Sequence, residues 1–174
     1  NYRQVQAISI AEFEARNRFG EYRRLISQLE DSGRLDRELE YLPSDEELAE
    51  RHVHGKQLTR PELAILVSYS KAILKEQLIA AALGDDPILA RTVTTAFPAQ
   101  LVERYPDEVV EHQLHREIMC TQLANDVVNR MGLNFVQRQQ RATGATVSDI
   151  ACAYIAALEI FSLPATWSDM EALD

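Results

Sequence analysis

The stretch Thr59-Arg60-Pro61-Glu62-Leu63-Ala64-Ile65-Leu66-Val67-Ser68-Tyr69-Ser70-Lys71-Ala72-Ile73-Leu74-Lys75-Glu76-Gln77-Leu78-Ile79 decides the fold class. Leu63, Leu66, Val67, Ile73, Leu74, Leu78 and Ile79 recur at spacings that fall on one side of a helix. Its start is written just ahead of it. Thr59 can accept from an amide one turn on, Glu62 can reach back to the Thr59 amide, and Pro61 sits where a missing amide does no harm. The spacing predicts a helix that carries on to Gly84.

The same grammar extends in both directions. Upstream, Ser44-Asp45-Glu46-Glu47 is a second capping box and predicts a helix to about His54, ended by Gly55. Before it, Ile10, Phe13, Tyr22, Leu25, Ile26 and Leu29 predict an amphipathic helix from Ile8 to Gly33, with Gly20 as its point of interruption. Downstream, Asp85-Asp86-Pro87 restarts a helix through Phe97, and Pro98 begins a short one through Tyr105. Pro106-Asp107-Glu108 opens a long helix to Gly132, with Val110, Leu114, Ile118, Leu123, Val127 and Met131 as its inner face. A short helix follows from Asn134 to Gly144. Thr146 to Asp149 then cap one lined by Ile150, Tyr154, Ile155, Leu158 and Phe161 and closed by Pro164. Ser168, ahead of acids and Leu173, reads as the N-cap of a further helix that the chain end cuts short. With no initiating Met, the sequence is expected to be truncated at both ends.

No stretch alternates apolar and polar residues over a strand's length, and no fixed period repeats. The expected fold is all-α, a multi-helix bundle or irregular helical array with no sheet. Three parts are expected: 1–43, helices linking from an absent upstream domain; 44–163, the main helical domain; and 164–174, the start of the cut helix.

Charge narrows the partners. The 27 acidic against 18 basic residues give −9, which argues against a nucleic-acid binder, since phosphate contacts need a basic face. The pairs Arg16 with Arg18, Arg23-Arg24 and Arg138 with Arg141 lie among acids or glutamines and read as solvated faces. No apolar run is long enough to span a membrane, and no residues at the start resemble a signal peptide. The expected setting is the cytoplasm, with no membrane partner. Cys120 and Cys152, each inside an apolar helical pattern, read as buried reduced thiols.

The candidate chemistry is sparse. No two glycines stand closer than 12 positions, so neither a G-x-G-x-x-G fingerprint nor a phosphate loop is present. His52 and His54 suit the end of a helix. His112 and His115 read as partners of Glu108 and Glu111 on one solvated helix face rather than as metal ligands. Thr121-Gln122-Leu123-Ala124-Asn125-Asp126-Val127-Val128-Asn129-Arg130 is more unusual. Asn and Asp are poor residues for a helix interior, so two Asn and an Asp there imply specific hydrogen bonds. Thr121, Asn125 and Asn129 form one polar stripe, and Gln122, Asp126 and Arg130 the next. Gln122, Asn125, Asp126, Asn129 and Arg130 are thus the candidate contact with another domain or subunit. No catalytic, cofactor-binding or metal-binding residue is assigned.

Several stretches resemble the C-terminal region of the large, bacterial type of NAD-specific glutamate dehydrogenase. They are Asn1 to Ser9 (NYRQVQAIS), Gly33 to Pro43 (GRLDRELEYLP), Leu58 to Ala64 (LTRPELA), Thr121 to Gly132 (TQLANDVVNRMG) and Thr143-Gly144-Ala145. The resemblance runs over essentially the whole chain. It implies a parent enzyme that deaminates glutamate oxidatively with NAD, whose glutamate- and NAD-binding core lies upstream. The chain itself is then an inactive accessory domain that packs on the upstream catalytic domain or supports homo-oligomer assembly. Help at the active site through an inserted helix is a further implied role, and a stand-alone helical interaction module is the alternative.

Overall fold

The computed structural model describes residues 2–81, 83, 94 and 96–173. Among them the chain forms ten helices and no strand, as the periodicity predicts. They are α1 (Tyr2–Asn17), α2 (Phe19–Asp31), α3 (Asp45–Val53), α4 (Arg60–Ala80), α5 (Ala99–Arg104), α6 (Pro106–Val110), α7 (His115–Met131), α8 (Phe135–Thr143), α9 (Val147–Ile160) and α10 (Leu163–Glu171). Of the helix expected from Asp85 through Phe97 only Thr94, Ala96 and Phe97 are described, and Gly84 before it lies outside the described residues. The chain forms two compact units, Asn1–Phe135 and Val136–Asp174.

In the first unit α4 and α7 pack on each other, and α1 packs on both. Leu63, Leu66, Val67, Leu74 and Leu78 supply the buried side of α4. Met119, Cys120, Leu123, Ala124, Val127 and Val128 supply that of α7. Each large apolar side chain taken from water contributes about 1.5–3 kcal/mol. The face of α1 differs from expectation. Phe13, expected inside, is 69% exposed, whereas Ala7, Ala11 and Ala15 are at most 3% exposed. Small side chains one turn apart bring a helix axis close to its neighbours, so α1 is seated by alanines rather than by large residues.

Two helix boundaries also depart from expectation. The break between α1 and α2 falls at Arg18, not at Gly20, which lies inside the first turn of α2. Arg18 leaves the helical region at φ −139°, although its amide still donates to the Glu14 carbonyl at 2.8 Å, and the Asn17 side-chain amide donates to the Phe13 carbonyl beside the break. The long helix expected from Pro106 to Gly132 is two helices, α6 and α7. Between them the Leu114 amide donates to His112 Nδ1, and the His115 amide donates to the His112 carbonyl. Val110 and Leu114 are therefore exposed, and Val109 is buried in place of Val110.

The capping boxes form as read. Ser44 Oγ accepts from the Glu47 amide, and Glu47 accepts from the Ser44 amide. Thr59 opens α4 with Glu62 as its reciprocal partner, and Thr146 opens α9 with Asp149. Between α2 and α3 the chain turns at Gly33, and Tyr41 stands at a positive φ of 54°. Tyr69 Oη donates to Glu40 at 2.6 Å, and Arg34 pairs with Glu76, which ties this turn region to α4.

In the second unit α9 and α10 pack on each other. Pro164 does not close α9's segment as expected. It lies in the first turn of α10, where proline is favoured, after Ser162 breaks the helix in a left-handed conformation at a φ of 48°. Ser168, expected as an N-cap, lies inside α10. Cys152, expected to be buried, is exposed on α9.

The Thr146 box makes the start of α9 pH-dependent. Hydrogen bonds from the Thr146 hydroxyl and then from its amide hold the Asp149 carboxyl below its ordinary 3.8. A carboxyl lowered by folding adds stability that is present above its unfolded value and lost as the pH falls through the folded one. Between about pH 5 and about pH 2, urea midpoints should therefore fall more steeply for the wild type than for Asp149→Asn. Parallel slopes would show that the box contributes nothing.

Candidate functional site

The polar residues of α7 occupy one strip of that helix, at successive turns. Gln122, Asn125, Asp126 and Arg130 are half-buried, and Asn129 is buried at 8% exposure. The strip therefore stands at the margin of the face that α7 turns to its neighbours. Arg130 Nε donates to Asp126 Oδ1 at 2.6 Å, an i,i+4 pair with side chains 23% and 30% exposed. A pair of that exposure contributes about 0.5 kcal/mol and mainly fixes the two side chains in place. Thr121, on the solvent side, donates to the Glu117 carbonyl. Asn129 Oδ1 has no hydrogen-bond partner among the described residues. An acceptor left so costs about 1–3 kcal/mol. The strip thus combines a fixed ion pair with the half-buried amides of Gln122 and Asn125, groups that can make polar contacts.

Several buried polar groups were not singled out in the sequence. Asn134 is 1% exposed, and its Nδ2 has no partner among the described residues; the same is true of Ser70 Oγ on α4. Their types and positions carry no periodic signal that would mark them. Glu62, read only as a capping residue, also accepts from Arg51 Nη1 at 2.9 and 3.1 Å and so ties α4 to α3. Glu14 accepts from the hydroxyl of the fully buried Tyr22 at 3.2 Å and lies against Gly132.

The histidines take local roles. His52 stacks on Phe19 with ring centroids 4.6 Å apart, and His54 Nδ1 lies 2.8 Å from the Glu50 carbonyl. His112 and His115 do not share a helix face as expected, because the turn between α6 and α7 separates them from Glu108. Among the described residues no group of three His, Cys, Asp or Glu side chains is placed to hold a metal ion. Burial, with Glu117 nearby, raises the Cys120 thiol above its ordinary value, which keeps it protonated and unreactive. A cavity of about 840 Å³ between α2 and α3 is bordered by Glu30, Asp36, Glu38, Asp45, Glu46 and Glu47. Arg37 crosses it to Glu30 at 2.8 Å, and its Nη1 donates to the Pro43 carbonyl. These contacts brace the turn.

Among the described residues no two glycines stand together as a dinucleotide-binding turn requires. Gly33, Gly55, Gly132 and Gly144 all have positive φ, and they follow the C-termini of α2, α3, α7 and α8.

The sequence comparisons point one way. The family model for the C-terminal part of glutamate dehydrogenase matches residues 55–174. Over all 174 residues the chain is 53% identical to the NAD-specific glutamate dehydrogenase of Halomonas elongata and 51% identical to that of Pseudomonas aeruginosa. In each case it covers 100% of this chain and 11% of the relative. It is 39% identical to the NAD-specific glutamate dehydrogenase of Mycobacterium tuberculosis over 138 residues, 79% of this chain and 8% of that protein.

Proposed function

The chain belongs to the glutamate dehydrogenase C-terminal family, and from that premise we propose that it is the helical accessory region of a cytoplasmic NAD-dependent glutamate dehydrogenase. The parent reaction is the oxidative deamination of L-glutamate: glutamate, NAD⁺ and water give 2-oxoglutarate, ammonium, NADH and a proton. In this reading the chemistry and the NAD site belong to the rest of the parent polypeptide. The 174 residues pack on that catalytic part, and they stabilise its assembly as a homo-oligomer. The observation that carries the reading is similarity along the entire chain to enzymes of which it makes up 11%.

The polar strip of α7 is the proposed contact. Gln122, Asn125, Asp126 and Arg130 are only half covered within this chain. A partner surface that donates hydrogen bonds would complete the strip. Asn125→Ala combined with Asp126→Ala in the full-length parent tests this. The expected result is a weakened assembly or a lower thermal midpoint, with the KM values for glutamate and NAD within about twofold of wild type. Unchanged assembly, stability and rate would remove the strip from the account.

A further inference from the structure

We propose that the exposed apolar face of α9 and α10 is a docking surface for the part of the parent polypeptide that lies outside these 174 residues. The proposal rests on the reading of the chain as one region of a longer dehydrogenase.

The sequence of α9 sets the problem. From Ile150 to Leu158 it reads Ile-Ala-Cys-Ala-Tyr-Ile-Ala-Ala-Leu, without a charged residue. A helix with one side in water carries polar residues on that side, whereas a helix apolar all round belongs in an interior. Only Ile150, Ala151 and Tyr154 of α9 are buried. Cys152, Ala153, Ala156 and Ile160 lie on the other side of the helix and are exposed, Ile160 by 74%. The apolar exposure continues past the helix end. Phe161 is 67% exposed, and Met170 and Leu173, in and just after α10, are 62% and 85% exposed. Exposed apolar side chains at successive turns of α9, with Phe161 directly after it, mark a surface that is covered in use.

Length and tethering select the occupant. The chain spans 11% of its relatives' length, so about eight residues of the parent lie elsewhere for each residue here. A surface on the same polypeptide meets this face at an effective concentration of about millimolar, whatever the protein concentration, whereas a second copy does not have that advantage. The chemistry of the mating surface follows from the face. It is apolar at its centre, to meet Ile160 and Phe161. It carries a basic group to meet Glu159, which is exposed on the same side of α9; Asp149, at the N-terminal end of that side, is already engaged by Thr146.

Cys152 lies on this face and reports on it directly. Maleimide labelling of Cys152 is followed by peptide-resolved mass spectrometry in the full-length parent, folded and in urea. The parent variant Ile160→Glu with Phe161→Glu is labelled alongside, and the assembly mass of each is measured by sedimentation. The expected result is at least about tenfold slower labelling in the folded wild type than in urea. In the variant the rate should rise toward the urea value with no change in assembly mass. A folded wild-type rate within a few-fold of the urea rate would overturn the proposal, and this arm does not depend on whether the variant folds. Slow labelling accompanied by a smaller assembly in the variant would also overturn it, because the cover would then be a second copy. NAD-dependent glutamate oxidation by the same wild-type preparation separates the two levels. Its absence removes the enzymatic reading and leaves the labelling result standing, whereas activity with fast labelling removes only the docking surface.

Discussion

Replacing Gly132 with alanine is expected to destabilise the first unit by about 3 kcal/mol. Gly132 ends α7 at φ 85° and ψ 162°, a conformation that side-chain-bearing residues rarely adopt. Conformation is the stricter limit, and space adds to it, because the atoms in the way are the far end of the flexible Glu14 side chain. A β-carbon there would lie 2.3 Å from one carboxylate oxygen of Glu14 and 2.7 Å from its carboxyl carbon. Glu14 would have to swing aside, which weakens its part-buried 3.2 Å bond from the Tyr22 hydroxyl. Gly144 is the control. It also has a positive φ, of 72°, but nothing lies within 4 Å of an added β-carbon, so Gly144→Ala should cost only about 1 kcal/mol. Chemical denaturation of both variants checks the difference. Equal costs would mean that Glu14 moves aside freely and that backbone conformation alone sets the effect.

Glu62→Ala has the next largest expected effect, a loss of about 2–3 kcal/mol. Glu62 is buried at 8% exposure and serves two partners at once. It accepts from the Thr59 amide at 2.6 Å, which completes the cap of α4, and from Arg51 of α3. Truncation therefore weakens a helix start and leaves a guanidinium, 30% exposed, without its carboxylate. Because Arg51 reaches water, Arg51→Ala should cost less, about 1 kcal/mol. The double variant should then be less damaging than the sum, by about 1 kcal/mol of coupling. Strict additivity would show that Glu62 acts only as a cap.

The three helix starts at Ser44, Thr59 and Thr146 were legible because a capping box is a local device, complete within four residues. The all-α class was legible because the apolar spacing on α4 repeats every turn. The breaks were not. Val110, Leu114 and Ile118 keep perfect helical spacing across the turn at His112, so periodicity alone joins α6 to α7. What separates them is a ring nitrogen accepting from a backbone amide, a competition that depends on rotamer and not on pattern. The alanine seam of α1 was missed for a related reason. Counting large apolar residues finds Ile10 and Phe13, while close helix packing selects Ala7, Ala11 and Ala15. Pro164 reads as a stop, although proline is equally at home at a start, and only the left-handed break at Ser162 decides between them.

Function was legible differently. Nothing in the spacing of acids, histidines or cysteines builds a reacting centre, and the resemblance in stretches such as Thr121 to Gly132 supplied the family. The polar residues of α7 were visible as an oddity of helix composition. Which of them pairs with which was not, because Asp126 can meet either Gln122 or Arg130 one turn away. Geometry selects Arg130.

NAD binding and glutamate oxidation, measured side by side on the full-length parent and on the 174-residue chain, test the central claim most directly. The account predicts that the parent binds NAD and forms NADH when given glutamate, and that the 174-residue chain does neither. A parent that is folded yet does not oxidise glutamate, or NAD binding and turnover by the 174-residue chain alone, would contradict it.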